Sequence, residues 1–352
     1  MNRENYKCLG IMSGTSLDGL DLAYVEFWQR DQNWFYEIGP CKTIPYTSQL
    51  IHQLKETVNL SGKDLAKLHL EFGKWMGEIA TEFLSSHKLQ PHLIASHGHT
   101  IFHQPELGFT FQLGHGAGIR AITGIQTISD FRSLDVLLGG QGAPLVPVGD
   151  RLLFYNYQAC LNLGGISNIS FEHQDQLIAF DISPCNIVLN HVIQQIGLSI
   201  DEDGKLARSG QLLSELLSEL NELPYYHQPP PKSLGREWVE KHFLPVVMQY
   251  HASIPDLLHT LCIHIATQIT QIIHQFNLNH TLITGGGAHH SFLLDTISTM
   301  SKHKIEKGAS VLIDYKEALI FAFLGLLKTQ GIDNTLASVT GAKINSSGGM
   351  IC

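Results

Sequence analysis

The sequence predicts an α/β protein with two domains, in which mixed sheets are flanked by helices. The chain has 352 residues, of which 43% are hydrophobic and 16% charged, a length and balance typical of two globular domains with sizeable cores. Two segments about 150 residues apart each contain an apolar strand, a turn of small polar residues and a second strand, which indicates a duplicated unit. A third glycine-rich turn follows a strand and precedes a helix.

The first of these hairpins lies near the start of the chain. An apolar strand from Cys8 to Met12 enters a short polar turn, and a second strand starts at Leu22, a pattern typical of a β-hairpin. Glycines in the turn allow the backbone to approach a ligand, and its hydroxyl and N–H groups suit phosphates. Asp18 and Asp21 are carboxylates suited to holding Mg²⁺ through water, which favours a nucleoside triphosphate as ligand. The alternative is a tight turn that is only rich in small residues.

The second hairpin spans Ala159 to Phe171, and the later glycine cluster spans Gly285 to Gly287. Two phosphate-type hairpins suggest that each domain grips one side of a phosphate chain in a cleft between them. The backbone of the glycine cluster has no side chains, so the flat face of a base could lie against it.

Polar residues that follow other apolar strands are candidates for substrate contacts. His97 lies at the carboxyl end of a short strand, where open α/β sheets usually bind ligands. Together with His99 and His103 it could suggest a metal site, but no cysteine or carboxylate cluster joins them, so sugar hydroxyl or phosphate contacts are favoured. Arg132 follows the next predicted strand, and its planar donors suit an anionic group. An ordinary ion pair is the alternative.

Periodicity and composition predict the elements between Phe111 and Tyr157. Strand-like runs surround Ile119 and Ile125, and the glycine-rich segment from Gly139 to Pro147 is predicted to form an interdomain substrate loop. The second half is predicted to begin near Asp150, with a strand over Leu152 to Tyr157.

Asp181 is the first choice for a catalytic residue. It ends an apolar strand and precedes a turn and a helix, the position expected of a general base. An aspartate that only caps the following helix is the alternative. The proline-rich segment from Tyr225 to Trp238 is predicted to be an ordered loop near the cleft, with a partner-binding polyproline segment as the competing interpretation.

The last long helix is predicted from Lys316 to Gln330. It is apolar almost all round, which indicates a buried helix, and Glu317 at its start is a carboxylate at the expected seam between the domains.

Charge and cysteine content exclude several functional classes. The net charge of −9 argues against a general nucleic-acid or membrane-surface binder, which needs basic patches. The six cysteines have no CxxC spacing, and no signal peptide or apolar run near 18 residues is present. A reducing cytoplasm is therefore expected.

Three glycine loops in this order resemble the actin, Hsp70 and sugar kinase superfamily. Within it, the opening motif Gly10-x-Met12-Ser13-Gly14-Thr15-Ser16-x-Asp18-Gly19-x-Asp21 resembles that of the anhydro-N-acetylmuramic acid kinases. Further blocks follow in the family's order over nearly the whole chain. They are Ser96 to Thr100, Asp130 to Arg132, Gly139 to Pro147, Asn162 to Asn168, Gly285 to Ala288, Glu317 to Ala318 and Val339 to Ala342.

This resemblance implies a two-domain actin-like ATPase (ribonuclease H-like) fold with an interdomain cleft. The expected domains are residues 1–130 with 335–352, and residues 131–334. ATP and Mg²⁺ are the implied cofactors, with Asp18 and Asp21 near the metal ion and the glycine cluster near adenosine. The residues implied in nucleotide binding are Gly14, Thr15, Ser16, Leu17, Asp18, Gly19, Leu20, Asp21, Gly164, Gly165, Asn168, Gly285, Gly286 and Gly287.

The resemblance also implies a reaction in cell-wall sugar recycling. Water opens the 1,6-anhydro ring of 1,6-anhydro-N-acetylmuramic acid, and ATP phosphorylates O6 to give N-acetylmuramic acid 6-phosphate. Asp181 would activate the water, Glu317 would orient the reactants or help deprotonation, and Arg132 would lie near the lactyl carboxylate. The implied sugar contacts are His97, Arg132, Gln141, Gly142 and Ala143. The family is compatible with a homodimer.

The sequence departs from the family pattern around Asp181. The family usually has Asp-Thr-Gly-Pro-Gly-Asn, whereas this chain has Ile182, Ser183 and Cys185 between the matching residues. His99 also stands where glutamine is typical. These changes leave two alternatives open: a kinase of a different amino sugar, and a nucleotide-binding sensor of the same fold that has lost catalysis.

Overall fold

The computed structural model describes residues 5–14 and 17–352 and consists of two compact units. One unit comprises the chain up to Leu153 together with Tyr315–Cys352, and the other comprises Phe154–Asp314. Each unit has its own sheet flanked by helices, so the predicted α/β class with mixed sheets is confirmed. Among the helices described, none is long and apolar enough to span a bilayer. The interdomain cleft stays a prediction.

The sheet of the first unit has seven strands among the described residues, in the order β12-β6-β4-β1-β2-β3 with β5 paired to β4. Strands β1, β2 and β3 form an antiparallel meander, and β4 and β6 continue the sheet from β1 in parallel. The strands are β1 Tyr6–Ser13, β2 Gly19–Arg30, β3 Asn33–Pro45, β4 Leu93–Gln104, β5 Phe109–Leu113, β6 Thr127–Ser129 and β12 Met350–Ile351.

The sheet of the second unit repeats this plan with five strands, in the order β11-β10-β7-β8-β9. Strands β7, β8 and β9 form the meander, and β10 and β11 continue in parallel from β7. The strands are β7 Ala159–Leu163, β8 Ile166–His173, β9 Gln176–Pro184, β10 His280–Thr284 and β11 Lys304–Lys307. The two predicted hairpins and the predicted duplication are therefore present.

Helices cover the sheets and supply the rest of each core. In the first unit α2 packs against α3, and in the second unit α11 packs against several shorter helices. The helices are α1 Ser48–Glu56, α2 Gly62–His87, α3 Gly116–Thr123, α4 Ser133–Leu137, α5 Val146–Leu153, α6 Asn186–Ile193, α7 Lys205–Ser209, α8 Ser214–Asn221, α9 Arg236–Trp238, α10 Leu244–Met248, α11 Ile254–Gln275, α12 Ser291–Met300, α13 Ser310–Thr329 and α14 Ala337–Thr340.

The strand ends predicted at His97 and Asp181 are wrong, because strands β4 and β9 continue to Gln104 and Pro184. Three other predicted elements also differ from the structure. Ile119 lies in helix α3, which His115 caps by accepting the Ala117 N–H at Nδ1. The strand predicted from Leu152 to Tyr157 is wrong because Leu152 and Leu153 end helix α5. Helix α13 starts at Ser310, six positions before the predicted Lys316. Short apolar runs caused these errors, since periodicity cannot separate a buried strand from a buried helix turn.

The division into units also differs from the predicted domain boundaries. Residues 131–153 and 315–334 belong to the first unit, whereas the sequence predicted them in the second domain. Direct bonds explain this grouping: the Thr340 hydroxyl donates to Asp135 at 2.7 Å, and Lys316 pairs with Asp150 at 2.8 Å, with all four side chains buried.

Helix α13 lies directly against the backbone of strand β1. A Cβ atom added to Gly10 would lie 1.9 Å from the carbonyl oxygen of Ala318, a distance that no relaxation of side chains can relieve. Gly10, which belongs to the opening motif, is therefore explained by helix packing. The same packing brings Glu317 of α13 to the sheet that carries the first hairpin.

We expect Gly10→Ala to destabilise the protein by about 1–3 kcal/mol, the usual cost of overpacking a close-packed core. Gly62→Ala is the matched control, because nothing lies within 4 Å of an added Cβ there and the change should stabilise slightly or be neutral. Urea unfolding measures both midpoints. Equal midpoints for the two variants would contradict the close approach of α13.

Candidate active site

Hydrogen bonds hold Ser13 at the end of strand β1, just before the turn of the first hairpin. The Tyr46 hydroxyl donates to the Ser13 hydroxyl at 2.5 Å, and Ser13 Oγ lies 3.0 Å from His99 Nδ1. Since Ser13 accepts from Tyr46, its own proton can go to His99, which leaves the imidazole proton of a neutral His99 on Nε2. Burial lowers the pKa of His99. The histidine at this glutamine position therefore still offers an N–H donor.

The predicted nucleotide residues of this turn have different environments. Gly14 is half-buried, Leu17 has a left-handed φ of 60° and Asp18 is exposed. A Cβ at Gly19 would lie 2.6 Å from the Ile44 carbonyl oxygen, and Leu20 is fully buried in the core. The packing of strand β3 thus accounts for Gly19, and Leu20 could contact a ligand only through its backbone. Thr15 and Ser16 lie outside the described residues.

Asp21 faces strand β3, where it accepts a hydrogen bond from the Thr43 hydroxyl at 2.6 Å. Asp18 directly precedes strand β2 and Asp21 is the third residue of that strand, so the two carboxylates are three positions apart in sequence. Among the described residues, no group of three or more His, Cys, Asp or Glu side chains could hold a metal ion. Two carboxylates nevertheless fit Mg²⁺, which usually takes one or two carboxylates together with water and substrate phosphates.

Arg132 is oriented by two other predicted substrate residues. Its Nε donates to His97 Nε2 at 3.0 Å, and its Nη1 donates to the Gly142 carbonyl at 2.6 Å. Since His97 Nε2 accepts, the proton of His97 is on Nδ1, which lies 2.9 Å from the Gly98 carbonyl oxygen. Burial and the neighbouring guanidinium hold the pKa of His97 well below its usual range. His97 therefore positions Arg132 with both of its ring nitrogens engaged.

The guanidinium keeps three N–H groups that these two bonds do not use. Burial lowers the pKa of Arg132 to about 10, an effect that the negative charges of Glu317 and Asp135 oppose. No carboxylate of the described residues lies within 4.0 Å of it, so the ordinary ion pair is not observed. Arg132 remains a cation in a partly buried site, which suits an anionic ligand group.

The Gly139 to Pro147 loop is anchored by a residue that the sequence interpretation missed. The fully buried Asp135 accepts the Gly142 N–H at 2.7 Å through Oδ2 and the Thr340 hydroxyl through Oδ1. The Gln141 N–H donates to the Thr340 carbonyl at 2.8 Å, while the Gln141 side chain is exposed and Ala143 is half-buried. Asp135 follows Arg132 by three residues. The sequence signal for its partner Thr340 is the Val339 to Ala342 block, which contains that residue.

Glu317 completes this group of the first unit. Its side chain reaches solvent, yet desolvation by the surrounding protein raises its pKa, with Asp18 adding to the rise and Arg132 and Lys316 opposing it. Lys316 itself forms the buried ion pair with Asp150. Glu317 is thus an accessible carboxylate in an environment that perturbs its pKa, as is common at functional sites.

In the second unit, polar residues form a row across three neighbouring strands. Asn162 of β7 pairs with Asn168 of β8, and Asn168 pairs with Asp181 of β9. Directly paired residues place their Cβ atoms about 4.5–5.5 Å apart. A bulge at Ile182 ends the regular register beside Asp181, and bulges often redirect side chains next to active sites. The predicted phosphate residue Asn168 and the predicted base are therefore neighbours.

The glycine turns of this unit meet at the carboxyl ends of β7 and β10. A Cβ at Gly285 would lie 2.4 Å from Asn162 Oδ1, and one at Gly287 would lie 2.8 Å from the Leu163 side chain. In contrast, a Cβ added at Gly165 would have its nearest protein neighbour 4.0 Å away, and one added at Gly286 would have it 3.8 Å away. The surface beside Gly165 and Gly286 is open, whereas Gly285 and Gly287 serve the packing of the two strand ends. A Cβ at Gly164 would lie 3.1 Å from Asn162 Nδ2.

The proline-rich segment is bonded directly to Asp181. Oδ2 of Asp181 accepts the Leu234 N–H at 2.9 Å and the Ser233 hydroxyl at 3.2 Å. The Asp181 N–H donates to the Lys232 carbonyl at 3.0 Å, and the Asp181 carbonyl accepts the Tyr225 hydroxyl at 2.6 Å. Oδ1 takes part in none of these bonds. Helix α6 starts at Asn186 without a bond from Asp181, so the capping alternative is wrong.

These bonds set the proton affinity of the Asp181 carboxylate. Burial raises its pKa, and the Leu234 N–H and the Ser233 hydroxyl counteract that rise because they stabilise the charged form. The sequence interpretation noted an ordered loop here but did not connect it to Asp181. Tyr225 and Leu234 pack within their own unit, whereas Pro229 and Pro231 are exposed, so the partner-binding interpretation stays a prediction.

Ser183 joins a second, buried network behind Asp181. Its hydroxyl lies 3.1 Å from the Tyr226 hydroxyl, which in turn lies 2.8 Å from Nε2 of the fully buried His264. His264 Nδ1 lies 2.8 Å from Asn221 Oδ1, and burial lowers the pKa of His264 to about 3. The network fixes Tyr226, and with it the start of the segment that holds Asp181.

Cys185 also fits its position without a glycine. Its φ of −129° lies outside the left-handed region, its side chain is fully buried, and its N–H donates to the Gly165 carbonyl at 2.8 Å. Ser183 is likewise absent from the residues with positive φ. The two lost glycines are therefore compensated by packing and by a hydroxyl bond.

We expect Tyr226→Phe to destabilise the protein by about 1–3 kcal/mol, because His264 and Ser183 would lose a buried partner. Tyr250→Phe is the matched control, since the Tyr250 hydroxyl bonds an exposed Glu219 at 2.8 Å and should matter far less. Thermal unfolding of both variants tests this, and an equal loss in both would contradict the buried network.

Comparison with known proteins identifies the family of the chain. The family model described as "Anhydro-N-acetylmuramic acid kinase" matches residues 6–352. A protein of that name from Hydrogenovibrio crunogenus is 35% identical over 96% of this chain and 95% of its own length. One from Francisella tularensis subsp. novicida is 34% identical over 96% of both chains, and one from Aliivibrio fischeri is 34% identical over 98% of both. The chain belongs to the anhydro-N-acetylmuramic acid kinase family.

Proposed function

We propose that this protein is an ATP-dependent kinase of 1,6-anhydro-N-acetylmuramic acid. It adds water to the anomeric carbon, opens the 1,6-anhydro bridge and transfers the γ-phosphoryl group of ATP to O6. The products are N-acetylmuramic acid 6-phosphate and ADP. Family membership supports the reaction class, and the single observation that carries the mechanism is the Asp181 carboxylate, held through Oδ2 with Oδ1 outside those bonds.

Asp181 acts as the general base. Its Oδ1 takes a proton from water, the remaining hydroxide forms a bond to C1, and the bond between C1 and O6 breaks. Because burial raises the pKa of Asp181, the carboxylate is a stronger base than an ordinary aspartate. The bonds from Ser233 and Leu234 hold its orientation, which is the larger part of what a positioned base contributes.

Arg132 binds the lactyl carboxylate of the sugar. A carboxylate matches the planar donors of a guanidinium, and Arg132 is held in place by His97 and Gly142 while three N–H groups remain for the ligand. Gln141 and Ala143 lie on the loop that Asp135 anchors, and they contact the sugar as well. Glu317, whose pKa both Arg132 and Asp18 affect, orients O6. O6 leaves C1 as an alkoxide and forms the bond to the γ-phosphorus as the bond from that phosphorus to ADP breaks.

ATP binds through the two hairpin turns and the glycine cluster. The phosphates contact the turn from Gly14 to Asp21 and the turn with Gly164, Gly165 and Asn168, and adenosine lies along the open backbone near Gly286. Asp18 and Asp21 would hold Mg²⁺, which supplies positive charge to the phosphates when bound. The other residues named here mainly position ATP for the transfer of its γ-phosphoryl group. A cytoplasmic location and a homodimer stay predictions.

We expect Asp181→Asn to lower turnover by at least about 10²–10⁴-fold, the usual contribution of a general base, while ATP binding is retained. Asp175→Asn is the matched control, since Asp175 lies in an exposed turn of the same unit and should keep full activity. ADP release with Mg-ATP and the anhydro sugar is the measurement. Full activity of Asp181→Asn would remove Asp181 as the base.

The pH dependence of the reaction offers a second test. Ser233 donates to the charged carboxylate, so Ser233→Ala should raise the pKa of Asp181 further and move the acidic limb of kcat/KM to higher pH. Ser209→Ala is the control, because that hydroxyl bonds only the carbonyl of Leu206 in its own helix. An acidic limb that stays in place, or moves to lower pH, would contradict the role of Ser233.

A further inference from the structure

One tyrosine holds both ends of the turn in the first hairpin. The Tyr46 hydroxyl donates to the Ser13 hydroxyl at 2.5 Å, where strand β1 ends. The Tyr46 backbone N–H donates to the Asp18 carbonyl at 3.4 Å, directly before strand β2 starts. Tyr46 itself directly follows strand β3. A single residue therefore connects the two strand ends between which the proposed phosphate contacts lie.

The ring of Tyr46 has a fixed place in the core of the first unit. It is 7% exposed, and its centroid lies 5.9 Å from that of Trp75 on helix α2. Its neighbour Pro45 pairs with Gly19 across strands β3 and β2. Because both the ring and the backbone of Tyr46 are held in this way, its hydroxyl can act as a fixed point for the turn.

The hydroxyl bonds run in one direction, from Tyr46 through Ser13 to His99 Nδ1. Burial raises the pKa of Tyr46, the bond to Ser13 opposes that rise, and the charges of Asp21 and Asp18 add to it, so the hydroxyl keeps its proton. Burial lowers the pKa of His99, which therefore remains a neutral acceptor. Ser13 is 1% exposed, so the loss of either partner would leave a buried polar group unsatisfied.

The backbone of the turn needs support of this kind. Leu17 has a left-handed φ of 60°, which is uncommon for a residue other than glycine. Such a conformation persists only where the surrounding structure fixes it. The Leu17 N–H donates to the Gly14 carbonyl at 3.4 Å, and the next residue, Asp18, is bonded to Tyr46. The bonds on either side of Leu17 therefore select the shape of the turn.

We propose that Tyr46 is a positioning residue for ATP, an inference that rests on the proposed function. Its two bonds keep the turn from Gly14 to Asp21 in the conformation that binds the phosphates, and Tyr46 acts through the turn without contacting ATP. His99 contributes by accepting the proton of Ser13. The amide oxygen of a glutamine can accept the same proton, so the histidine at this glutamine position keeps the role.

Calorimetric titration of the full chain with Mg²⁺ and β,γ-methylene ATP, without sugar, tests this role. We expect Tyr46→Phe and His99→Leu to weaken binding by about 3–10-fold, because the binding conformation of the turn is less populated when one of these bonds is lost. His99→Gln should bind within about 2-fold of the unaltered protein, since it restores the acceptor.

Tyr24→Phe is the matched control, because Tyr24 is a buried tyrosine of the same core on strand β2. It should also bind within about 2-fold of the unaltered protein. The double variant Tyr46→Phe/His99→Leu should bind no more weakly than the weaker single variant, since both changes act through Ser13. Circular dichroism confirms that each variant is folded, and the two His99 variants decide the test if Tyr46→Phe is not.

Three outcomes would overturn the role of Tyr46: unchanged affinity in both Tyr46→Phe and His99→Leu, equal weakening in His99→Gln and His99→Leu, or equal weakening in Tyr24→Phe. ADP release by the unaltered protein with the anhydro sugar tests the proposed function separately. Normal turnover with any of the three outcomes removes the positioning role alone. Binding of the ATP analogue without turnover would contradict the proposed reaction, and the affinities of the variants would still decide the role of Tyr46. No binding of the analogue by the unaltered protein would remove both.

Discussion

The close approach of helix α13 to strand β1 is the constraint on which the first unit depends. Gly10 meets the carbonyl of Ala318 without room for a side chain, and the buried pair of Lys316 with Asp150 fixes the same turn of the helix. Removing one partner of a buried ion pair typically costs about 3–5 kcal/mol, because the other charge stays buried alone. The position of Glu317 relative to the first hairpin follows from these two contacts, so core packing and site geometry are set together.

In the second unit, the main constraint is that the Asp181 carboxylate must be partly buried and still ionisable. Burial alone would raise the pKa of Asp181, and full compensation by donors would make it a weak base. Ser233 and Leu234 both donate to Oδ2 of Asp181, so Oδ1 takes no part in these bonds. The Asp181 N–H donates to the Lys232 carbonyl and thereby binds the segment that carries both donors. The segment from Tyr225 to Leu234 is therefore part of the base's environment, although it is about 50 residues away in sequence.

Sequence reasoning succeeded where a local pattern decides the structure. The two hairpins and the glycine turn after β10 follow from alternation and turn chemistry. The strand end predicted at Asp181 does not, because strand β9 continues to Pro184. Sequence reasoning failed where tertiary packing decides: Ile119 lies in a helix, α13 begins at Ser310, and Asp135 anchors a loop through bonds to distant residues. The roles of Gly10 and Gly19 were also hidden, because a glycine required by packing and a glycine required by a ligand look the same in one sequence.

The departures around Asp181 favour the family reaction over a changed one. Ser183 and Cys185 replace glycines at positions where φ is not positive, so neither side chain stands in the left-handed region that favours glycine. Ser183 adds a bond to Tyr226, and Cys185 fills the core. Both side chains are buried, whereas the carboxylate of Asp181 is half-buried. A substitution whose side chain is buried changes how the base is supported, and it has little means of contacting a sugar directly. The altered motif therefore changes the buried residues that support the Asp181 carboxylate and keeps the carboxylate itself.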